Sequence, residues 1–250
     1  MAGSTYLWVN IACIAGPLLL SFDKRVAFYK TWKAFGWATL GTLAVFIPWD
    51  VWFTGLGVWG FNPEHLLGID LINLPLEEWL FFISIPYACT FTFACLKYYV
   101  KRSPSAVTIT ALNRSVAIGL ALVVVLQYLI TKEVHDYTLS ACLVSIVLLA
   151  LQQRVLKQAT LGWFWIAYPV LVIPFLIANG VLTGLEFYTY PLILTEPEAI
   201  TDHIVWYNNA ENLGVRVFSV PVDDFIYGFA LILLNITLYE AALTRRKAQA

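Results

Sequence analysis

The feature that most constrains this chain is the distribution of its apolar residues, which fall into long blocks separated by short polar breaks. A run of about 18 or more apolar residues can cross the hydrocarbon of a bilayer as a helix. Within hydrocarbon every backbone N–H and C=O needs an internal partner, so such a run has little alternative to helix. The pattern predicts an all-α integral membrane fold with about seven transmembrane helices, near 4–22, 34–55, 76–97, 114–131, 137–153, 160–183 and 222–244. Composition agrees: 60% of residues are hydrophobic and 12% charged, whereas a soluble domain carries about 25% charged residues. The net charge of −1 offers nothing to a nucleic acid, and none is expected as a partner. The first block lacks a basic start and a small-residue cleavage site, so it is expected to be a retained helix. Cys13, Cys89, Cys95 and Cys142 lie inside apolar blocks without CxxC spacing and are expected to pack as small hydrophobes.

Orientation follows from the basic residues. Thirteen of the fifteen Lys and Arg fall on one side of this layout. They are Lys24, Arg25, Lys30 and Lys33 after the first span, and Lys97, Lys101, Arg102 and Arg114 after the third. Arg154 and Lys157 follow the fifth, and Arg245, Arg246 and Lys247 form the tail. Only Lys132 and Arg216 lie opposite. Cytoplasmic loops carry the excess of Lys and Arg. The expected location is therefore the cell membrane, with the N-terminus outside and the C-terminus cytoplasmic.

The chain also resembles itself. Residues 67–81, LGIDLINLPLEEWLF, align with 213–227, LGVRVFSVPVDDFIY, at an offset of 146. Only Asp70 against Arg216 is a real change in chemistry. One helix earlier, Asp50 to Gly55 aligns with Asn179 to Gly184 at an offset of 129. The difference is a 17-residue insertion in the second long outer loop. Two three-helix units joined directly would be inverted; one extra helix makes them parallel. The expectation is a 3+1+3 parallel internal repeat: 1–97, a linker with a joining helix over 98–136, and 137–250. Both acidic motifs then lie at the outer face, where the third and seventh helices begin.

Each copy carries Pro-x-acid-acid there: Pro75, Glu77, Glu78 and Pro221, Asp223, Asp224. Acids at a helix start complement the dipole and can cap free N–H groups, which is a structural explanation. Two acid pairs in register at the bilayer boundary also invite a functional one, because ionisable groups there are costly. A carboxyl kept protonated in such a place can serve as a general acid. Aromatic residues follow both pairs. Glu77 and Phe81 share a helix face at i, i+4 spacing, as do Asp223 and Tyr227. The rings fit an interfacial belt or stabilise a cation formed beside an acid. Asp50 and Asn179, level with the motifs, either orient the acids or bond helix to helix. Gly55 to Gly60 matches GxGxxG literally but leaves an apolar helix for an aromatic loop, without the strand–turn–helix unit of a dinucleotide site. His65, His135 and His203 fall in outer loops with no metal-ligand spacing, so no metal is expected.

The motifs Gly57-Val58-Trp59-Gly60-Phe61-Asn62-Pro63, Leu74-Pro75-Leu76-Glu77-Glu78-Trp79-Leu80-Phe81-Phe82 and Val220-Pro221-Val222-Asp223-Asp224-Phe225-Ile226-Tyr227-Gly228-Phe229 resemble those of the integral-membrane lycopene cyclase family. The resemblance covers nearly the whole chain. It departs in having Asp where Glu is expected first in the second copy, which shortens one reach by a methylene. The resemblance implies redox-neutral cyclisation of the ends of lycopene, or a related acyclic carotene, to β-rings, giving γ- and β-carotene. It implies no cofactor, with Glu77, Glu78, Asp223 and Asp224 supplying acid and base. Trp59, Phe81 and Tyr227 would lie near the cation, and Asp50, Asn62 and Asn179 would join the substrate-binding group. A small sugar transporter shares the 3+1+3 plan, but such carriers usually show a Pro-Gln element, which this chain lacks. A retinal-binding protein would need a lysine in the last helix, and 222–244 has none.

Overall fold

In the computed structural model the described residues are 2–155 and 158–249; Lys157, counted above among the basic residues, lies outside them. The helices among them are α1 (Thr5–Leu20), α2 (Trp32–Leu56), α3 (Leu76–Tyr99), α4 (Ala106–Thr131), α5 (Asp136–Val155), α6 (Gln158–Thr183) and α7 (Val222–Gln249). The fold is all-α, with six helices, α2 to α7, long and apolar enough to cross a membrane. At 16 residues, α1 is shorter than expected: about 24 Å at 1.5 Å per residue, against roughly 30 Å of hydrocarbon. Its end is tied down by the Ser21 hydroxyl, which lies 2.7 Å from the Pro17 carbonyl oxygen and 2.6 Å from the Tyr87 hydroxyl.

One boundary moves substantially. The fourth helix begins at Ala106 rather than 114, because Ser105 Oγ caps it by accepting the Thr108 N–H at 3.1 Å. Arg114 therefore sits inside α4 and not in a loop.

Two helices form the centre. Helix α3 packs against α1, α2, α6 and α7, and α7 against α2, α3, α5 and α6, whereas α4 packs mainly against α5 and α6. The exposure of large apolar side chains on α4, such as Val107 and Ile130 at 81% and 80%, marks it as the most lipid-facing helix. Several polar groups between the central helices are paired. The Asn235 carbonyl accepts the Thr90 hydroxyl at 2.8 Å, and its amide donates to Thr42 Oγ1 at 3.1 Å, linking α7 to α3 and α2. Toward the far end of the bundle, Lys97 Nζ on α3 meets both Glu240 oxygens on α7 at 2.7 and 2.6 Å.

Strand structure is confined to the two long loops. Strand β1 (Trp59–Phe61) pairs antiparallel with β5 (Val205–Tyr207), so each loop contributes one strand to a shared ribbon. Gly60 permits it: a Cβ there would collide with the Trp206 ring. Strands β2 (Asp70–Leu71) and β3 (Leu74–Pro75) form a hairpin leading into α3. In the second loop β4 (Ile193–Leu194) pairs with β6 (Arg216–Val217), which pairs with β7 (Val220–Pro221) leading into α7. The β6–β7 pairing repeats that of β2–β3 at an offset of 146. Both approaches use a left-handed glycine, Gly68 at φ +76° and Gly214 at φ +66°, a conformation glycine reaches without a Cβ clash. Both turns also hold a large residue at positive φ, Ile72 and Phe218.

Asn235→Ala leaves the Thr90 and Thr42 hydroxyls without their shared partner. Interhelical hydrogen bonds in membranes average about 0.6 kcal/mol, so a loss of about 1 kcal/mol is expected as a lowered unfolding midpoint in detergent.

Candidate active site

Consecutive helical residues point about 100° apart, and this separates the two acids of each motif. The first acid turns back to its own loop. Glu77 is fully buried, and its Oε1 accepts the Leu67 N–H at 2.6 Å. Asp223, also fully buried, accepts the Leu213 N–H at 3.0 Å through Oδ2 and the Thr138 hydroxyl at 2.5 Å through Oδ1. Leu67 and Leu213 occupy equivalent positions of the two motifs, so the shorter Asp223 makes the same loop contact as Glu77. Neither residue lines the cavity that holds Glu78 and Asp224; each is bonded to a loop N–H.

The second acid turns inward. Glu78 and Asp224 line one cavity of about 60 Å³ beneath the β1–β5 ribbon. The two carboxylates have different surroundings. Three donors converge on Asp224: the Tyr137 hydroxyl on Oδ1 at 2.6 Å, and the Asn179 amide and Tyr207 hydroxyl on Oδ2 at 2.6 and 2.8 Å. Glu78 accepts one hydrogen bond, from the Tyr6 hydroxyl to Oε2 at 2.5 Å. On its side of the cavity lies Asp50, whose Oδ1 accepts the Trp59 indole N–H at 2.5 Å and whose Oδ2 is buried without a partner.

A cation stands behind Asp224. Arg216 is 5% exposed, donates to the Ser219 carbonyl at 2.8 Å and to Asn209 Oδ1 at 3.0 Å, and lies 5.5 Å from the Tyr207 ring centroid. Burial, and then the Asp224 charge, push the Tyr207 phenol well above its ordinary pKa, so it remains a donor. Burial draws Arg216 below the ordinary guanidinium value, opposed by Tyr207 and Asp224; a guanidinium stays charged across the accessible pH range. The first motif has Asp70 at the matching place, exposed in the β2–β3 hairpin.

Aromatic rings complete the walls. Tyr227 lies 4.8 Å from Trp49 and 6.1 Å from both Trp59 and Tyr137, centroid to centroid. Phe81 lines the cavity beside Tyr6, 6.4 Å away. Phe81 and Tyr227 follow the inward-facing acid by three residues and line the cavity with it, whereas Glu77 and Asp223, four residues before them, turn to their loops.

The cavity thus joins Glu78, Asp224, Asp50, Trp59, Phe81, Asn179 and Tyr227. It does not include Glu77, Asp223 or Asn62. Asn62 instead holds loop structure: its Oδ1 accepts the Glu64 N–H at 3.1 Å and its amide donates to the His203 carbonyl at 3.4 Å. The histidines do not converge. His135 Nδ1 lies 2.6 Å from the Asn212 carbonyl oxygen and His65 Nδ1 lies 3.3 Å from Thr5 Oγ1. Among the described residues no three His, Cys, Asp or Glu come together as a metal site. The glycine run 55–60 starts in α2, passes its C-cap at Gly57 and ends in β1, so no strand precedes it.

Sequence reasoning missed Tyr6, Tyr137 and Tyr207, the three phenols on the acids. A signal existed for two of them. Tyr6 and Tyr137 are 131 residues apart, close to the 129 separating Asp50 from Asn179. Extending the self-alignment one helix further back would have paired them.

A protein-family model described as lycopene cyclase matches residues 3–96 and 134–242. The chain belongs to the lycopene cyclase family. The two matched segments contain every cavity residue named above and flank α4, which falls between them. Among curated proteins, the bifunctional lycopene cyclase/phytoene synthase of Arthroderma gypseum is 32% identical over 87 residues. That alignment covers 34% of this chain and 15% of the fungal protein. No solved structure matches the chain.

Asp223→Ala frees the Leu213 N–H and the Thr138 hydroxyl together. Losing hydrogen bonds to a charged group costs about 1.5–3 kcal/mol, so limited proteolysis should cut faster within 185–221 while 56–75 keeps its wild-type resistance. Glu77→Ala should reverse the pattern.

Proposed function

We propose that this chain is a lycopene β-cyclase, closing the end groups of lycopene or a related acyclic carotene into β-rings without net oxidation or reduction. What carries the reading is the meeting of two carboxyls, one from each acidic motif, in a single aromatic-walled cavity in a member of the lycopene cyclase family. In the proposed reaction Glu78 is the acid and Asp224 the base. The assignment rests on their hydrogen bonds. Three donors with Arg216 behind them favour the ionised form of Asp224, since hydrogen bonds to the charged form stabilise it. Glu78 has one donor and another carboxyl, Asp50, on its side of the cavity.

Glu78 delivers its proton to C2 of the terminal C1=C2 bond, leaving a tertiary cation at C1. The C5=C6 electron pair attacks C1, closing the six-membered ring and moving the cation to C5. Asp224 removes the C6 proton, and that electron pair becomes the ring double bond. One proton enters and one leaves, so the conversion is an isomerisation. The ring faces of Trp59, Phe81 and Tyr227 are placed to attract the cation. Keeping water from it prevents capture as an alcohol. Asp50 and Asn179 orient the two sides, and Glu77 and Asp223 act as positioning residues by holding each helix start in place.

We further propose that the chain is a 3+1+3 repeat, with units 1–97 and 137–250 and a joining segment 98–136. In support, α1 packs on α3 as α5 packs on α7, and α2 packs on α7 as α6 packs on α3. The hairpins preceding α3 and α7 share pairing and positive-φ positions, and the family match breaks at α4. An extracellular N-terminus and cytoplasmic C-terminus in the cell membrane accord with the basic residues.

Expression in cells that accumulate lycopene, followed by chromatography of extracted pigments, tests the activity; cyclic products are expected. Unchanged lycopene with the protein present in the membrane would overturn the reading. General acid–base groups contribute about 10²–10⁴-fold, so Glu78→Gln should lower the rate at least about 100-fold. In D₂O each new ring should carry one deuterium at C2. Asp224→Asn should also slow the reaction, and the residual product should shift from β-rings toward isomers deprotonated at C4. An unchanged β-ring fraction in that variant would remove Asp224 as the base.

A further inference from the structure

The acid cavity opens inward. Ile85, Phe175 and Ile232 line both it and a second, larger cavity of about 440 Å³ lying between α1, α3 and α6. The wall of this second cavity is apolar. Its one hydroxyl, on Thr92, is engaged with the Ala88 carbonyl at 2.9 Å. At its side Ala12 on α1 and Pro174 and Ile177 on α6 are exposed, Ile177 by 56%, so the space opens laterally between these helices. Both helices carry a proline along this opening, Pro17 and Pro174, each of which removes a backbone donor from the helix interior.

Resting on the cyclase reading, we infer that this groove binds the polyene chain of the substrate while its end group occupies the acid cavity, and that its lateral mouth is the route from the bilayer. The occupant is fixed by continuity. A chain lying in the groove reaches Glu78 and Asp224 past the three shared residues, with no polar barrier to cross. The outer face of the acid cavity, by contrast, is roofed by the β1–β5 ribbon and its polar loops. A membrane acyl chain would meet the same apolar wall but has no end group for the acids to act on. Lateral access also suits a molecule with two reactive ends, since it can withdraw into the bilayer, turn and return without crossing the aqueous loops.

The test is a graded series in the groove, Ala88→Val, Ala88→Leu and Ala88→Trp, with Ala12→Trp at the mouth. Ile173→Trp, on the lipid-facing side of α6 at 65% exposure and outside the groove, is the control. Conversion of lycopene in defined vesicles and the unfolding midpoint are measured for each. Filling a binding site raises KM while leaving kcat. KM for lycopene is expected to climb through the Ala88 series, reaching about tenfold or more at Trp, with kcat within about twofold and the control unchanged. The Val and Leu members keep the test valid if the Trp member unfolds. Wild-type cyclisation with KM unchanged across the series would overturn the groove as the polyene site and leave the cyclase reading standing. So would a fall in kcat at constant KM. No cyclisation by the wild type would overturn the cyclase reading, and this inference with it.

Discussion

The structure depends on the hydrogen bonds made by polar groups carried into an apolar bundle. At the outer ends of α3 and α7 the first acid of each motif takes a loop N–H ten residues upstream. The contact pins a hairpin to a helix start and fixes the rotation of that helix. With the rotation fixed, the next residue has no choice of direction, and Glu78 and Asp224 face inward. Pairing also explains why the phenols are where they are. Each inward carboxyl meets a tyrosine from the neighbouring helix, Tyr6 on α1 or Tyr137 on α5.

The same scaffold carries two different electrostatic environments. Asp50 aligns with Asn179, both lining the cavity, and exposed Asp70 aligns with buried Arg216. The changes act in one direction. They add a second carboxyl near Glu78, and they add an amide donor and a cation near Asp224. In the proposed reaction this asymmetry divides labour between the halves, since different surroundings favour different protonation states of two carboxyls.

Packing around the site follows from its contents. Trp59 is held by its indole N–H on Asp50, by the β1–β5 register that sets it opposite Tyr207, and by T-shaped contact with Tyr137 at 5.0 Å. The ribbon is possible because Gly60 leaves room for Trp206. A wall of rings is thus built from two loops and several helices. No single segment of the chain contains it.

The sequence by itself determined the helical membrane fold, most helix positions and several of the residues that line the cavity. Long apolar runs admit one solution in hydrocarbon, and costly acids repeated at a fixed offset are visible without coordinates. It did not determine which acid of each pair faces the cavity. That depends on helix rotation, set by hydrogen bonds from Leu67 and Leu213 that are local in space and unmarked in composition. It also missed the tyrosines, because a phenol inside an apolar block reads as one more large hydrophobe until its partner is known. Asn62 shows the converse: its place in a motif suggests chemistry, while its side chain lies outside the cavity and caps the loop. The early start of α4 turned on a single hydroxyl, that of Ser105, which hydropathy does not weigh. Only the tertiary structure decided these points, because each rests on a contact between segments far apart in the chain or on one capping bond at a helix end.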